Sequence, residues 1–348
     1  MEKRRLLITG GAGFIGVNAA RHFLGKGWDV TLLDNFSRKG TDINVKNLHR
    51  EFPDVPVIRA DICTDQKQLD NAVAKSDAVL HLAAQVAVTT SITDPRNDMR
   101  QNILGTFNVL EAIRASENQP PLIYSSTNKV YGALEEYAVR EATSRFEFVD
   151  DTYRSFGVPE KQTLDFHSPY GCSKGAADQY VIDYGRIYGL RTLSLRQSCI
   201  YGQHQFGVED QGWIAWFTIA AMRGKPLTIY GSGFQVRDGL FVDDLSRLYE
   251  LAFEKIDTLP QRAYNVGGGA GNTISLLELL ELLKKKYGYN PDVAHSDIRA
   301  GDQPIFVADI RALAKDLNWK PEMGIKDGIG KMHEWLHDNR EVIAGVLG

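Results

Sequence analysis

Two residues near the middle of the chain, Tyr170 and Lys174, have the types and the spacing needed to move a proton. On a helix, residues four apart share one face, about one turn from each other. A phenol ionises at about pH 10, and an ammonium held close to it favours the phenolate, so this pair could act as a base near neutrality. The same spacing is common by chance on surface helices, and the pair alone therefore indicates little.

Three glycines near the start, Gly10, Gly13 and Gly16, could hold a dinucleotide. They follow an apolar run and open an amphipathic stretch, so a strand-to-helix turn can bring backbone N–H groups and the positive end of a helix to a pyrophosphate. Phe14 and Ile15 lie within this turn. The spacing is GxxGxxG rather than GxGxxG, and a purely structural turn is the alternative. Taken together, the glycines and the tyrosine–lysine pair predict hydride transfer.

The cofactor preference follows from Asp34, which ends the second predicted strand 18 residues after Gly16. A carboxylate there accepts hydrogen bonds from a ribose diol and repels a 2′-phosphate, which favours NAD over NADP. Arg38 keeps the alternative open, because a nearby arginine can bind that phosphate. Further cofactor contacts are predicted at the ends of the third and fourth strands: Asp61, Ile62, Leu82, Ala83, Ala84 and Gln85.

A hydroxyl-rich segment, residues 124–132, ends the fifth predicted strand. Ligands of open α/β sheets collect at the carboxyl ends of strands. We assign Thr127 as the hydroxyl that shares a hydrogen bond with a substrate oxygen passing between alcohol and carbonyl. The alternative is that serines and threonines at strand ends satisfy backbone groups.

The elements that must position these residues are βαβ units. Short apolar runs alternate with amphipathic stretches in the first half, which predicts a doubly wound parallel sheet of Rossmann type in an α/β protein. We expect strands at 5–9, 29–34, 57–61, 78–82, 122–125 and 191–197, and helices at 14–26, 66–75, 96–115 and 169–188. The NAD-binding domain is predicted to comprise 1–189, with 190–202 and about 240–268 returning to it.

The remaining residues, 203–239 and 269–348, are predicted to form a smaller, mostly helical nucleotide-sugar-binding domain. Ser275 and Glu278 have the spacing of a capping box at the start of one of its helices, and further helices are expected at 213–223, 310–317 and 329–337. The segment 134–167 is long, polar and rich in aromatic residues, and we expect it to act as a lid.

The composition excludes several classes of protein. A net charge of −4 without a dense basic stretch argues against nucleic-acid binding. No apolar run has the length of a membrane span, and the chain opens without a signal-peptide core. Three scattered cysteines, Cys63, Cys172 and Cys199, make neither a zinc motif nor a disulfide framework. We therefore expect a cytoplasmic protein with no metal and no membrane contact.

With these motifs in order, the chain resembles the extended short-chain dehydrogenases/reductases of the NAD-dependent sugar epimerase/dehydratase family. The resemblance spans nearly the whole length, including residues 34–38, 81–84, 237–238 and 242–244. It implies NAD as cofactor, a nucleotide-sugar substrate, and a homodimer or homotetramer formed through helix packing. The full set of cofactor contacts it implies also includes Asn35, Ser37, Asn102, Ser125, Tyr170, Lys174 and Gln197.

Three departures from the family pattern narrow the activity. Asn128 and Lys129 stand where the related 4,6-dehydratases have an Asp-Glu acid/base pair, so the carboxylates needed to eliminate water are missing. Cys199 stands where 4-epimerases of the family usually have asparagine. The third departure is a set of segments that are most similar to epimerases that invert C2 of a CDP-linked deoxyhexose. These segments are 126–132, 165–174, 205–206, 210–213, 302–303 and 306–310.

This resemblance implies a redox cycle on one carbon. Tyr170 would take the C2 hydroxyl proton while NAD takes the hydride, giving a 2-keto sugar to which the hydride returns from the other face. Thr127 would orient the oxygen, and Lys174 would lower the pKa of Tyr170 and hold the ribose. The substrate contacts implied are Gln85, Thr127, Asn128, Lys129, Ser198, Cys199, Gln211, Arg237, Arg299 and Asp302, with the two arginines on the diphosphate.

Two other functions stay open from the sequence. A UDP-sugar 4-epimerase of the same family could use the same three catalytic residues. A regulatory protein that binds NAD without catalysis could share the fold, although it would have no need for Thr127, Tyr170 and Lys174.

Overall fold

The structure is a computed structural model that describes residues 3–260, 262–298 and 302–347. The strands in chain order are β1 (Arg5–Thr9), β2 (Asp29–Asp34), β3 (Val57–Arg59), β4 (Ala78–His81), β5 (Leu122–Thr127), β6 (Val139–Glu141), β7 (Phe146–Phe148), β8 (Thr192–Gln197), β9 (Cys199–Tyr201), β10 (Leu227–Tyr230), β11 (Val236–Phe241), β12 (Ala263–Val266), β13 (Thr273–Ser275), β14 (Val293–Ser296) and β15 (Ile305–Phe306).

The α-helices in chain order are α1 (Phe14–Gly25), α2 (Thr41–Glu51), α3 (Gln66–Ala74), α4 (Val88–Thr93), α5 (Pro95–Met99), α6 (Gly105–Ala115), α7 (Asp151–Phe156), α8 (Ser168–Ile187), α9 (Trp213–Met222), α10 (Val242–Lys255), α11 (Leu276–Tyr287), α12 (Arg311–Leu317), α13 (Ile325–Asp338) and α14 (Arg340–Leu347). A π-helical turn (Arg100–Leu104) joins α5 to α6, and 3₁₀ turns lie at Asn128–Tyr131 and Ala270–Asn272. No helix in the described ranges is long and apolar enough to cross a membrane.

The largest sheet among the described residues has seven parallel strands in the order β12-β8-β5-β4-β1-β2-β3. The strand order reverses between β1 and β4, and the crevice outside the carboxyl ends at such a point is where ligands bind in open α/β sheets. The predicted fold class, a doubly wound Rossmann-type sheet, is confirmed.

Both faces of this sheet are covered, as the continuous apolar strands require. Successive side chains of a strand point to opposite faces. In β1, Leu6 and Ile8 belong to one buried cluster and Leu7 belongs to another. The sheet is thus held between two apolar layers, which fixes its carboxyl edge as a rigid platform.

Several element boundaries differ from the sequence prediction. The strand β5 runs on to Thr127, which places that hydroxyl at the strand's last residue. The helix expected at 96–115 starts at Pro95, with Asp94 as its N-cap, and is interrupted by the π-helical turn.

The sequence analysis does not predict the helices α2, α4, α7, α10 and α14. The helices α4 and α7 are too short to show a period, and α2 is poor in apolar residues. The helix α10 has a buried face that includes Leu245, Leu248, Tyr249 and Ala252. Its helical spacing is the signal that could have found it.

A smaller group of elements packs at the carboxyl edge of the sheet. The strands β13, β11 and β15 form a small sheet with β9 beside β11, and β10 pairs with β14. The helices α9, α11 and α13 enclose a third apolar cluster. The predicted capping box at the start of α11 is confirmed, since Ser275 Oγ accepts from Glu278 N at 3.1 Å and Glu278 accepts from Ser275 N at 3.0 Å.

The long segment 134–167 contains the β6–β7 hairpin and α7. Arg145, in the hairpin turn, forms an ion pair with Glu278 of α11. Phe148 packs into a fourth apolar cluster with Val236 and Phe306. The segment is therefore attached to the smaller group of elements, and its role as a lid stays a prediction.

Candidate active site

The glycine turn leaves an open approach above the start of α1. Gly10 has φ +68°, and a Cβ there would lie 2.7 Å from Ala83 N; at Gly16 a Cβ would lie 2.6 Å from Gly10 O. These two glycines are needed for close backbone packing. At Gly13 a Cβ would meet a single described atom within 4 Å, Gly10 O at 3.2 Å. The first turn of α1 has no side-chain cap and no acidic residue, so its backbone N–H groups are available to an anion. Together with the open side at Gly13, this fits a pyrophosphate.

Asp34 lies at the carboxyl end of β2, beside this turn. Its carboxylate accepts hydrogen bonds from Ala12 N at 3.0 Å and Phe36 N at 2.8 Å. Burial raises the pKa of Asp34, and the two N–H donors together with Arg38 and Arg59 oppose that shift. The position is the one that an acidic residue needs in order to contact a ribose diol.

The neighbouring cofactor residues form a short chain of contacts between β2 and β3. Asn35 donates to Asp61 at 3.2 Å and accepts from Ser37 N at 3.0 Å. Ile62 is buried against Gly105 at the start of α6. The structure therefore brings this predicted group together at the edge of the sheet.

Arg38 reaches from the β2 loop across to the smaller group of elements. Its guanidinium donates to the side-chain oxygen of Gln211. Its charge acts on both Asp34 and Tyr170. Arg38 therefore lies close to both the predicted ribose-binding acid and the predicted base, and its partner Gln211 is half-buried.

The three predicted catalytic residues meet at the carboxyl ends of β5 and β4. Thr127, Tyr170 and Lys174 are all buried. The Thr127 side chain is close enough to Tyr170 to lower the pKa of its phenol. Lys174 Nζ donates to the Ser125 carbonyl at 2.6 Å and lies 4.2 Å from the centroid of the Tyr124 ring.

The helix α8, which carries the tyrosine and the lysine, is fixed at its start and in its middle. At its start, Tyr170 N donates to Ser91 Oγ of α4 at 3.1 Å. Further along, Asp178 accepts from Arg196 of β8 at 2.8 Å in a buried ion pair. These contacts hold the catalytic face of the helix against the sheet.

Burial dominates the titration of both groups. It raises the pKa of Tyr170 to about 12, while the Thr127 hydrogen bond and the Arg38 charge lower it and Asp98 raises it further. Burial lowers the pKa of Lys174 to about 7, against the charges of Asp178 and Asp98. Sequence reasoning assigned the lowering of the Tyr170 pKa to Lys174. In the structure the groups that lower it are Thr127 and Arg38, and the lysine ammonium donates to the Ser125 carbonyl.

The loop after β4 lies against the start of α1 and against the π-helical turn. Leu82 N donates to Thr9 O at 3.0 Å, and Ala83 N donates to Thr9 Oγ1 at 3.4 Å. Ala84 follows, half-buried, and Gln85 N donates to Asn102 Oδ1 at 2.8 Å. Small side chains keep this backbone open to a ligand.

Two residues that sequence reasoning missed lie behind this loop. Asp98 and Ser173 are buried and hydrogen-bonded to each other at 2.5 Å. Asn102 donates to both of them, at 3.2 and 2.9 Å. The spacing of Asp98 and Asn102, four residues apart on one helix, is the signal that could have found the first of them.

On the substrate side, a carboxylate lies between two cations. Asp302 accepts from Arg237 Nη2 at 2.8 Å, and its carboxylate is 4.0 Å from Lys129 Nζ. Burial and the Arg237 charge lower the pKa of Lys129 to about 8, against the opposing charge of Asp302. Arg299, the other predicted diphosphate contact, lies outside the described residues.

Asn128 is held by a residue that the sequence analysis did not assign. Its Nδ2 donates to Gln303 Oε1 at 3.0 Å, and Gln303 Nε2 donates to the Gly132 carbonyl at 2.6 Å. Asn128 and Lys129 therefore point to the same side of the site as Asp302.

The remaining predicted contacts lie around the ends of β8 and β9. Ser198 donates to the buried Asp238 at 2.5 Å. Cys199 is half-buried and pairs in register with Gly239 of β11, and burial raises the pKa of its thiol to about 12. Gln197 is buried and donates to Tyr249 OH at 2.8 Å. Its amide is thus bound to a tyrosine of α10.

Polar contacts at the edge of the cleft join the helices beside the glycine turn to the segment that follows β9. Asn18 of α1 donates to the Gln203 carbonyl at 2.9 Å, and Asn44 of α2 donates to the His204 carbonyl at 3.3 Å. These contacts bring residues 203–204 close to the predicted pyrophosphate site.

The described residues contain no group of three or more histidine, cysteine, aspartate or glutamate side chains placed to hold a metal ion. The groups that the structure brings together at the site are the hydroxyl of Thr127, the phenol of Tyr170 and the ammonium of Lys174.

A Rossmann sheet with a glycine turn, a ribose-binding acid and a buried Thr–Tyr–Lys set defines a class of nucleotide-dependent oxidoreductive enzymes. The chain belongs to the NAD dependent epimerase/dehydratase family, which matches residues 6–267.

Three known proteins illustrate the similarity. CDP-paratose 2-epimerase of Salmonella typhi is 43% identical over 338 residues, which cover 95% of this chain and 98% of that enzyme. The UDP-glucose 4-epimerase of Thermus thermophilus, solved in complex with NAD, is 31% identical with a TM-score of 0.77, covering 96% and 99% of the two chains. A dTDP-glucose 4,6-dehydratase of Streptomyces venezuelae, solved with NAD bound, is 26% identical with a TM-score of 0.81, covering 97% and 98%. The predicted family and the predicted cofactor, NAD, are confirmed.

The different surroundings of two glycines lead to a contrasting prediction. Gly13→Ala adds a methyl group on the open side of the turn, so we expect a folded protein from which NAD dissociates about tenfold faster or more, the effect of losing hydrogen bonds to a charged group. Gly16→Ala places its methyl group against backbone atoms at 2.6 to 2.7 Å, so we expect a lower free energy of unfolding by about 1–3 kcal/mol. Thermal unfolding and NAD release measured on both variants check this. Equal effects of the two variants on both measurements would contradict it.

Proposed function

We propose that this protein inverts C2 of a CDP-linked deoxyhexose, the conversion of CDP-paratose to CDP-tyvelose. The observation that carries the proposal is the site itself: the buried Thr127, Tyr170 and Lys174 set stands beside Asn128 and Lys129 instead of a carboxylate pair. The 43% identity to the Salmonella typhi 2-epimerase, over nearly the full length of both chains, supports the choice of carbon and nucleotide.

The protein's part in the reaction is to move one proton and to hold the sugar. Tyr170 takes the proton of the C2 hydroxyl and later returns it, and the Thr127 hydroxyl, which lowers the pKa of the phenol, orients the substrate oxygen. NAD, when bound, accepts a hydride and gives it back, so the net oxidation is zero. The Lys174 ammonium is proposed to hold the cofactor ribose.

The glycine turn and Asp34 are the residues proposed to hold the cofactor. The open side at Gly13 and the uncapped start of α1 suit the pyrophosphate, and Asp34 suits the adenosine ribose. Gln85 and Asn102 line the same cleft, next to the catalytic helix.

Elimination of water is not supported at this site. A dehydratase needs an acid and a base beyond the tyrosine, and Asn128 offers neither because an amide does not titrate. Its amide is hydrogen-bonded to Gln303, and Lys129 is a cation facing Asp302.

We propose that Lys129 and Arg237 contact the diphosphate of the nucleotide sugar. Both cations lie beside the carboxylate of Asp302, and a guanidinium fork matches phosphate geometry. Arg299 is proposed as a third contact on the basis of the family resemblance. Cys199, Ser198 and Gln211 are proposed to border the sugar.

The division of the chain into an NAD-binding part and a nucleotide-sugar-binding part is likewise a proposal. The placement of β12 in the large sheet, next to β8, supports the return of residues near 263–266 to the first part.

A homodimer or homotetramer is supported by large apolar side chains that are exposed on α6 and α8, among them Phe107, Tyr180 and Ile187. A reducing cytoplasmic compartment is supported by the three unpaired cysteines.

A second candidate, a UDP-sugar 4-epimerase, is supported by the 31% identity to the Thermus thermophilus enzyme. The same three catalytic residues would serve C4 if the sugar bound in another orientation. Binding of NAD without catalysis is less well supported, because it gives no reason for a hydroxyl, a phenol and an ammonium buried together.

The candidates separate in one NMR experiment with CDP-, UDP- and GDP-hexoses in deuterated water. We expect inversion at C2 of a CDP-deoxyhexose without deuterium at the inverted carbon, because the hydride never exchanges with solvent. Inversion at C4 would favour the second candidate. Deuterium at the inverted carbon would refute return of the same hydride, and no turnover with any of the sugars would favour the regulatory protein.

The role of the phenol leads to a prediction for Tyr170→Phe. Loss of the proton acceptor should reduce turnover by about 10³-fold, the usual contribution of a positioned acid or base, while NAD stays bound. The matched control is Tyr180→Phe, which removes a hydroxyl from an exposed position of the same helix and should leave turnover unchanged. Near-normal activity of Tyr170→Phe would show that another group is the base.

The proposed diphosphate contact predicts a pH dependence. The pKa of Lys129 is about 8, so its ammonium is present below that pH and is lost above it. KM for the nucleotide sugar should therefore rise between pH 7 and pH 9. In Lys129→Arg the charge persists, and KM should stay flat over the same range. A rise of equal size in both proteins would exclude Lys129 as its cause.

A further inference from the structure

Asp98 is a buried carboxylate in the last turn of α5, directly behind the catalytic helix. Its relative exposure is 0%. One oxygen accepts from Ser173 Oγ at 2.5 Å, and the other accepts from Gln85 Nε2 at 3.0 Å and from Asn102 Nδ2 at 3.2 Å. Burial raises the pKa of Asp98, while Ser173, the Lys174 charge and Gln85 lower it. A buried charge with three donors is costly to assemble and is therefore expected to have a role.

The carboxylate determines how the two amides around it are oriented. An ionised carboxylate only accepts hydrogen bonds, so Gln85 and Asn102 must both turn their NH₂ groups towards Asp98. The oxygen of Asn102 then faces the backbone N–H of Gln85, at 2.8 Å. The loop after β4, the π-helical turn and α8 are joined in this way through one side chain.

Asp98 also supplies negative charge to Lys174. The groups that face the ammonium are Ser125 and Tyr124 from β5, His81 from β4, Asp178 from its own helix, and Asp98. Asp178 is already paired with Arg196. His81 is neutral, because burial lowers its pKa to about 3. Asp98 has no ion-pair partner of its own among the described residues, so its charge acts on the lysine without local compensation.

We propose that Asp98 is a positioning residue for the hydride-transfer site, which orients Gln85 and Asn102 along the cofactor cleft and presents a negative charge to Lys174. Its catalytic consequences rest on the proposed function.

The charge of Asp98 acts in the same direction on the pKa values of two neighbouring groups. The negative charge of Asp98 raises the pKa of Lys174 and also that of Tyr170. The other groups acting on Tyr170, Thr127 and Arg38, both lower its pKa. Replacing Asp98 by a neutral amide should therefore lower both pKa values.

The first test is the pH–rate profile of the NAD-loaded Asp98→Asn enzyme. Activity needs the phenolate of Tyr170 and the ammonium of Lys174, so both limbs of the profile should move to lower pH by about one unit, the effect of losing a nearby charge. Asp94→Asn is the matched control. It removes the same charge from the exposed N-cap of the same helix, asparagine caps as well as aspartate, and the profile should not move. Asp98→Glu, which keeps the charge, should restore its position.

The second test needs no substrate, so it stands even if the proposed activity is wrong. The difference in tyrosinate absorbance near 295 nm between each NAD-loaded protein and its Tyr170→Phe counterpart reports the phenolate of Tyr170. Between pH 10 and pH 12, the range just below the Tyr170 pKa of about 12, this difference should be larger in Asp98→Asn than in the unaltered enzyme.

If Asp98→Asn does not fold, Ser173→Ala replaces it in both tests. That variant removes the shortest donor to the carboxylate, which raises the pKa of Asp98 and should move the profile and the absorbance in the same direction by a smaller amount. A purely structural role would lower the maximal rate with no shift in either measurement, and an unshifted profile and absorbance would overturn the proposal.

Discussion

The Lys174 ammonium donates to the Ser125 carbonyl at 2.6 Å inside a site where the residue is 3% exposed. A cation so far from water needs nearby electron-rich or negatively charged groups, and several of them surround Lys174. The Tyr124 ring lies beneath it, and the carboxylates of Asp98 and Asp178 lie within electrostatic range. The position of α8 over the sheet, and thereby the position of Tyr170, depends on this arrangement.

The surrounding structure makes this arrangement rigid. Arg196 and Ser194 of β8 both bind Asp178, and Arg196 also donates to Tyr131 OH. At Gly175 a Cβ would collide with the Phe166 ring, so the helix approaches the segment before it as closely as backbone allows. Thr127 is held at the end of β5 by pairing with Gln197 of the parallel strand β8. Proton transfer needs atoms placed to within a fraction of an ångström, and such packing supplies that placement.

The sequence by itself determined the fold class and the central chemical groups. Alternating apolar runs predict parallel strands, three glycines after the first run predict a dinucleotide turn, and Tyr170 and Lys174 share a helix face because four residues span one turn. Patterns of this kind concern neighbours along the chain, where geometry is nearly invariant. They also sufficed for the capping box at Ser275 and for the absence of a carboxylate pair at Asn128 and Lys129.

Only the tertiary structure decided which distant side chains complete the site. Three side-chain hydrogen bonds join residues that are far apart in the sequence. They link Asp98 to Ser173, Asn128 to Gln303 and Arg38 to Gln211, with sequence separations of 75, 175 and 173 residues. It also decided that Thr127 and Arg38, rather than Lys174, lower the pKa of Tyr170. The physical reason is that side-chain direction and burial are set by packing between elements, and a pKa depends on both, so neither can be read from residue spacing along one helix or strand.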